Sequence, residues 1–175
     1  MNIMEFSFLY AIPRTAVLDS FFLAVTKIAG SYGQLWVIVA AVLLIFKKTR
    51  KAGMAVLLAY AMVFLLGQLG LKNLISRQRP CQIDLDVALL VDRPSSSSFP
   101  STHSAWAFGA ATAIFMQHKK AGVVAFIAAA LIAFSRLYMF LHFPTDVLAG
   151  IVLGIALGVF ANWVTGRIWK RWEED

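Results

Sequence analysis

The chain has 175 residues, 60% of them hydrophobic and only 14% charged, with a net charge of +7. A soluble domain runs nearer half apolar and about a quarter charged, so the composition excludes an ordinary soluble enzyme and points to one membrane-embedded domain spanning 1–175. In that setting the positive charge reads as basic membrane-flanking loops and not as a nucleic-acid surface, and the single cysteine, Cys81, excludes an intramolecular disulfide or a cysteine zinc cluster.

The first twenty residues lack a basic stretch followed by a clean apolar run and a small-residue cleavage site, so no signal peptide is expected. Residues 18–30, LDSFFLAVTKIAG, carry Asp19 and Lys27. Their apolar residues Phe21, Phe22, Val25, Ile28 and Ala29 recur at helical spacing, which predicts an amphipathic helix lying in the interface. A short sixth span is the rival reading. A spanning helix needs roughly 20 mostly apolar residues. Residues 31–46, 52–76, 101–117, 121–141 and 144–165 fit, with 31–46 and 101–117 short. The fold class is therefore an all-α polytopic membrane protein, a bundle of five to six transmembrane helices with an N-terminal interfacial helix.

Three basic stretches, KKTRK (47–51), HKK (118–120) and RIWKR (167–171), hold nine of the sixteen Lys and Arg residues. Parity of crossing puts all three on one side, and basic loops stay cytoplasmic. The other side then receives 77–100 and the short connection after 136. Lys51 to Lys72 is ~31 Å of helix at ~1.5 Å per residue, about one hydrocarbon thickness, so Lys72 reaches the outer interface. Gly150, Gly154 and Gly158 recur every four residues in the last span and predict close helix packing in lipid. Trp163, Trp169 and Trp172 read as interfacial anchors.

Three polar clusters map to the outer face. In KNLISRQRP, Lys72 and Arg79 are seven apart, on one face if the helix persists that far, with Pro80 closing it; snorkelling basic residues are the plain alternative. In SSSSFPSTHS (95–104), Pro100 followed by Ser101 and Thr102 reads as a loop ending in a helix start, with Ser101 capping it. The free N–H groups and dipole of such a terminus favour a bound phosphate, with His103 in the first turn beside it. A serine-rich loop with an incidental cap is the alternative. In SRLYMFLHFPTD, Arg136 ends one span, His142 lies in a tight turn, and Asp146 begins the next helix, where Pro144 suits the first turn. Asp146 accepting a hydrogen bond from one ring nitrogen of His142 would fix the tautomer and leave the other lone pair facing out. A structural pair, or half of a metal site, is the alternative there.

Taken together, KNLISRQRP matches a Lys-x6-Arg-Pro motif, FPSTHS resembles Pro-Ser-Gly-His, and SRLYMFLHFPTD matches Ser-Arg-x5-His-x3-Asp. The chain resembles a small membrane member of the type 2 phosphatidic acid phosphatase superfamily, which also includes vanadium haloperoxidases. The resemblance covers a core at 72–146, with one departure, Thr102 where the family commonly has Gly. It implies that His142 attacks phosphorus, Asp146 orients it, and His103 protonates the leaving oxygen and then activates water. Lys72, Arg79, Arg136, Ser101, Thr102 and the main-chain N–H groups of 101–103 would hold the phosphoryl oxygens.

No metal or cofactor is implied, and Asp84, Asp86 and Asp92 read as solvated. Arg77 and Arg93 are either contacts to a second phosphate or surface cations, and the serines before FPSTHS read as polar outer loop. The expected substrate is a membrane lipid phosphate or diphosphate, with undecaprenyl diphosphate preferred by analogy over phosphatidylglycerophosphate and lipid A phosphate. The expected location is the bacterial cytoplasmic membrane, with the site facing outward. A transporter or channel with charges along a path is the reading from another class, and a metal or vanadate oxidation site is a further rival. Nothing in the sequence addresses oligomeric state.

Overall fold

The computed structural model describes residues 3–174, with the side chains of 171–174 excepted. All regular structure among the described residues is helical. The order is α1 (Ile3–Tyr10), α2 (Ala16–Ala29), α3 (Gln34–Ile45), α4 (Arg50–Met62), a π-helical stretch (Val63–Leu71), α5 (Lys72–Ile75), α6 (Pro80–Ile83), α7 (Thr102–Gln117), α8 (Lys119–Tyr138) and α9 (Pro144–Glu174). Large apolar side chains such as Ile38, Leu66, Val124, Val152 and Phe160 stay exposed around the outside. In a bilayer they meet lipid tails at no cost. The chain is an integral membrane protein.

Three helical stretches, Arg50–Ile83, Lys119–Tyr138 and Pro144–Lys170, are long and apolar enough to cross a membrane, and α2 with α3, bent by 55°, qualifies as a pair. By length and composition that is three spans, or four with the pair, against the five to six expected. The difference lies in α3 and α7, which at ~18 and ~24 Å of helix fall short of a full hydrocarbon thickness. The long α9 runs past the expected end at 165, and α1 and α6 were not expected at all.

α7 is the central helix. Ala105, Ala107, Ala110, Ala111 and Ala113 are all but fully buried on its several sides, and it packs along α4, α8 and α9. The expected glycine seam explains the α7–α9 contact. A Cβ on Gly150 would lie 2.3 Å from the carbonyl oxygen of Ser101, one on Gly154 2.4 Å from that of Ala105, and one on Gly158 2.6 Å from that of Gly109. Each four-residue step on α9 thus meets a four-residue step on α7, backbone against backbone, as small residues permit in lipid. At the opposite end from the site, Trp163 is half-exposed with the Arg167 guanidinium 4.5 Å over its ring. The Trp172 side chain lies outside the described residues.

α2 lies across the ends of its neighbours. Tyr138 at the end of α8 donates to Asp19 at 2.6 Å, Arg136 donates to Thr26 at 2.6 Å, and His103 at the start of α7 meets the carbonyl of Gly30 at 2.8 Å. The α2–α3 turn is made by Gly30 (φ 74) and Gly33 (φ 68), a left-handed backbone that glycine adopts without strain. A second apolar cluster, including Phe6, Phe22, Tyr138, Phe143 and the fully buried Cys81, packs α1 and α2 against the α8–α9 turn.

Candidate active site

The polar clusters converge on a cavity of about 650 Å³ at the end of the bundle that holds the α8–α9 turn. Its lining includes Lys72, Arg79, Thr102, His103, Arg136 and His142. The three cations are nearly inaccessible, at 6%, 4% and 3% exposure for Lys72, Arg79 and Arg136. Three buried positive charges, none ion-paired with a carboxylate among the described residues, are costly unless an anion completes the site. Ser101 and Asp146 do not line the cavity and stand behind it.

Lys72 and Arg79 do not converge by helical periodicity. The helix ends at Ile75, where Ser76 turns left-handed (φ 49), and Pro80 opens α6 instead of closing a span. Lys72 faces inward because of the π-helical stretch, in which its N–H reaches the carbonyl of Gly67, five residues back. Arg79 sits in extended backbone before α6. Its guanidinium is locked by Ser96 O (2.8 Å), Leu141 O (2.9 Å), Ser96 Oγ (3.0 Å) and Ser97 O (3.2 Å).

The serine run is therefore not a solvated loop. Ser96 and Ser97 clamp Arg79, while Ser98 is fully buried and donates to Asp146 Oδ2. Arg136 is fixed from Nε and Nη2 on Ser135 Oγ at 3.1 and 2.9 Å and from Nη2 on Thr26.

His142 is buried in the α8–α9 turn. Nη1 of Arg79 lies 3.1 Å from its Nε2. A guanidinium only donates, so Nε2 accepts and its lone pair faces the cations. The ring proton is then on Nδ1, which is buried and has no hydrogen-bond partner. Asp146 Oδ2 stands 3.8 Å away, an ion-pair distance and too long for the hydrogen bond expected there. The reason is competition: the carboxylate already takes Phe143 N–H at 2.8 Å, Ser98 Oγ, and Arg77 at 2.7 Å. Burial pushes the His142 pKa down to about 3; Asp146 opposes that shift, and Arg79 and Lys72 add to it. The imidazole is neutral across the physiological range.

At the start of α7, Ser101 makes no side-chain cap. Its hydroxyl pairs with Ser104 Oγ at 2.9 Å, and its N–H donates to the Asp146 carbonyl at 3.0 Å. The N–H of 101 is thus spent on the α9 backbone and faces no anion. Thr102 resolves its departure from glycine by turning its hydroxyl to Gln68 Oε1 at 3.1 Å, with its methyl against the open face of Gly67. His103 donates from Nε2 to Gly30 O at 2.8 Å, because a carbonyl only accepts, which leaves Nδ1 unprotonated in the neutral ring.

Arg77 does not reach the cavity. It pairs with Asp146 and Glu5. Arg93 lines the outer wall with Lys27, its guanidinium on the carbonyls of Asp84 and Leu85. Asp92 lines the same wall, and Asp84 accepts from Tyr10 Oη. Gln68, Gly30, Ser98 and Glu5 were not anticipated. Gln68 had a readable signal, a lone amide in an apolar span. The others are ordinary in sequence and acquire partners only through the fold.

Residues 48–170 match the model of the PAP2 superfamily. The chain belongs to that superfamily. It is 33% identical over 142 residues to an undecaprenyl-diphosphatase of Sulfolobus acidocaldarius, covering 81% of this chain and 68% of that protein. It is 38% identical to phosphatidylglycerophosphatase B of Bacillus subtilis, covering 69% of this chain and 61% of that one. Among solved structures it resembles the transmembrane PAP2-type phosphatidylglycerolphosphate phosphatase of Bacillus subtilis, with a TM-score of 0.73, 30% identity, and 96% and 89% of the two chains covered. It also resembles LpxE of Aquifex aeolicus, with a TM-score of 0.64, 30% identity, and 85% and 87% covered. The PAP2 match begins after α3, so the walls supplied by Gly30, Thr26 and Lys27 lie outside it.

Proposed function

We propose that this PAP2 protein is a lipid phosphatase that works through a phosphohistidine, with residues 1–175 acting as one membrane-embedded unit. The observation that carries the reading is the buried triad of cations around the Nε2 lone pair of His142. That lone pair attacks phosphorus, an N–P bond forms, and the P–O bond to the lipid breaks. His103, protonated for this step, gives its proton to the departing oxygen. Water then attacks phosphorus, His103 takes a proton from it, and the N–P bond breaks to release inorganic phosphate.

Lys72, Arg79, Arg136 and the main-chain N–H groups of 102 and 103 hold the three equatorial oxygens, the role of preorganised donors in a dry site. Arg79 moves its contact from His142 to phosphate as substrate enters. Asp146 steadies the positive charge that develops on His142, as a carboxylate behind an imidazole does. Ser101 supports the start of α7 from behind. Thr102 shapes the floor with Gln68 and contacts phosphate through its main chain. No step draws on a metal, since the cations neutralise the phosphoryl group themselves.

The substrate we favour is undecaprenyl diphosphate. Lys27 and Arg93 add positive charge to the outer wall of the cavity beyond the inner three cations, as a second phosphate requires. The relative from Sulfolobus acidocaldarius points the same way. Phosphatidylglycerophosphate and lipid A phosphate are the monoester alternatives. The basic stretches at 47–51 and 118–120 support a cytoplasmic placement for the far end, so that the cavity faces outward from the cytoplasmic membrane. A transporter fits less well, because the charges cluster at one end of the bundle and not along a path.

The test is phosphate release from undecaprenyl diphosphate, phosphatidylglycerophosphate and lipid A phosphate, side by side, with and without EDTA. Release from the diphosphate that survives EDTA and vanishes in His142→Ala is expected. Loss with the chelator, or full activity in His142→Ala, would overturn the mechanism.

A further inference from the structure

The carboxylate behind His142 is itself held by a chain of charges that ends on the N-terminal helix. Asp146 is fully buried and Glu5 of α1 is 6% exposed. Between them lies Arg77, with Nη1 2.7 Å from Asp146 Oδ1 and Nη2 2.7 Å from Glu5 Oε2. The Arg77 guanidinium also lies 4.3 Å over the ring of Phe143, next to His142.

Thr145 closes the loop. Its hydroxyl accepts from Arg77 Nη1 at 2.7 Å and donates to Glu5 Oε1 at 2.6 Å, and its N–H donates to the same oxygen at 3.1 Å. Glu5 thus accepts at Oε1 from the first turn of α9 and at Oε2 from Arg77. Burial raises the pKa of Glu5, but the hydrogen bonds from Thr145 and Arg77 outweigh it and hold the carboxyl below its ordinary value, so Glu5 is anionic.

The charge balance gives this arrangement a purpose. Asp146 has to present negative charge to an imidazole that becomes positive when it carries a phosphoryl group. A cation bonded to Asp146 alone would cancel that charge. With Glu5 on its other arm, Arg77 is shared between two carboxylates and the cluster keeps one net negative charge. Without Arg77 the two buried carboxylates would face each other uncompensated. The geometry works alongside the charge: Arg77 holds Oδ1, which leaves Oδ2 as the oxygen on the His142 side, 3.8 Å from Nδ1.

We propose that Glu5 is a positioning residue for the reaction, acting through Arg77 on Asp146, and that α1 is thereby part of the working site. The proposal rests on the phosphohistidine reading above. Glu5 lies outside the stretch 48–170 that matches the PAP2 model, and it touches neither cavity nor substrate.

The experiment measures kcat and KM for phosphate release from undecaprenyl diphosphate by the purified full-length protein and its variants, with thermal unfolding recorded for each. Glu5→Gln keeps the shape and can keep both Thr145 bonds on its one oxygen, but removes the charge and, because an NH2 cannot accept, the bond from Arg77. Glu5→Ala removes both. Outer partners that orient a metal-bound ligand typically contribute about 10- to 100-fold, and that range is taken as the ceiling for Glu5, which acts on His142 through Arg77 and Asp146. Glu5→Gln is expected to lose about tenfold in kcat and Glu5→Ala up to about 100-fold, both with KM within about twofold. Reactions quenched in alkaline detergent, in which the N–P bond survives, should show less phosphohistidine in the same order.

Glu5→Ala and Arg77→Met combined should cost little more than Arg77→Met alone, since one chain is broken either way. A rise in KM at unchanged kcat, or wild-type kcat in Glu5→Gln, overturns the proposal, as does full additivity. If Glu5→Ala does not fold, Glu5→Gln decides. Wild-type protein with no activity on any lipid phosphate would instead remove the phosphatase reading itself, so the two failures are distinct.

Discussion

Replacing Gly150 by alanine puts a methyl group where the fold has no room for one, and the site should register it before the stability does. The new Cβ would lie 2.3 Å from the carbonyl oxygen of Ser101, against 3.4 Å for an ordinary contact, a deficit of 3.4 − 2.3 = 1.1 Å. Both sides are backbone, so no side chain can rotate out of the way. The start of α7 must move away from α9 by about that distance. His103 is two residues further along and moves with it, while His142 and Asp146 stay with α9 and its preceding turn.

The thermodynamic effects partly offset. Alanine gains about 1 kcal/mol over glycine in a helix interior, and overpacking costs about 1–3 kcal/mol. Stability should fall by no more than ~2 kcal/mol on those figures. Catalysis has no such offset: a misplacement of about 1 Å costs on the order of 100-fold in rate. The assay is kcat per folded molecule with undecaprenyl diphosphate in mixed micelles, beside a thermal melt. Gly166→Ala is the control, since its Cβ would meet nothing nearer than Lys51 Nζ at 3.9 Å. A Gly150→Ala variant within about twofold of wild-type kcat would refute the reasoning, and so would activity lost only in step with folded protein.

Three further outcomes are expected. Because His142 is neutral in the fold down to about pH 3, while the unfolded chain takes up its proton near ~6.5, it adds no pH dependence above that value. Below it His142 costs the fold about 1.4 kcal/mol per pH unit, so melts between pH 7.5 and 5 should be flatter for His142→Gln than for wild type. Lys27→Met and Arg93→Met should each lower kcat/KM for the diphosphate by about tenfold, the equivalent of ~1.4 kcal/mol, and leave a monophosphate within about twofold, as measured by phosphate release from both lipids. Cysteine placed at the exposed Ser95 should be labelled by an impermeant maleimide from outside intact cells, with no background from Cys81, which is fully buried. Labelling only after lysis would reverse the orientation.

Much of this architecture is legible in the sequence because lipid imposes simple rules. Apolar runs mark the helices around 50–75, 119–138 and 144–165, and ionisable residues stand out against them. That contrast is why Lys72, Arg79, Arg136, His103 and His142 can be picked out and why they share one cavity. What escapes notice is set by backbone and by distant partners. The bend at Ser76 leaves no mark in KNLISRQRP, which reads as one continuous face. Ser98 looks like its neighbours in SSSS until the fold buries it against Asp146. Glu5 is one carboxylate in a short apolar segment, and only Arg77, seventy-two residues away, gives it meaning. The hydroxyl of Ser101 illustrates the opposite error: a residue type suited to capping found a closer partner in Ser104.

The π-helical stretch bears on how this protein tolerates change in length. The buried stripe of α4 steps through Ala52, Ala55, Val56, Ala59, Val63 and Gly67 at ordinary spacing, and then takes five residues to reach Lys72. Wound as plain α-helix, those same residues would carry the lysine ~100° past the cavity. The widened turn absorbs the surplus residue and works as a vernier between the half of the helix that packs and the half that reaches the cavity. A version of the chain one residue shorter between 63 and 71 would wind as ordinary helix and still present its lysine to the site, so length here is a slack dimension in an otherwise tightly gauged span.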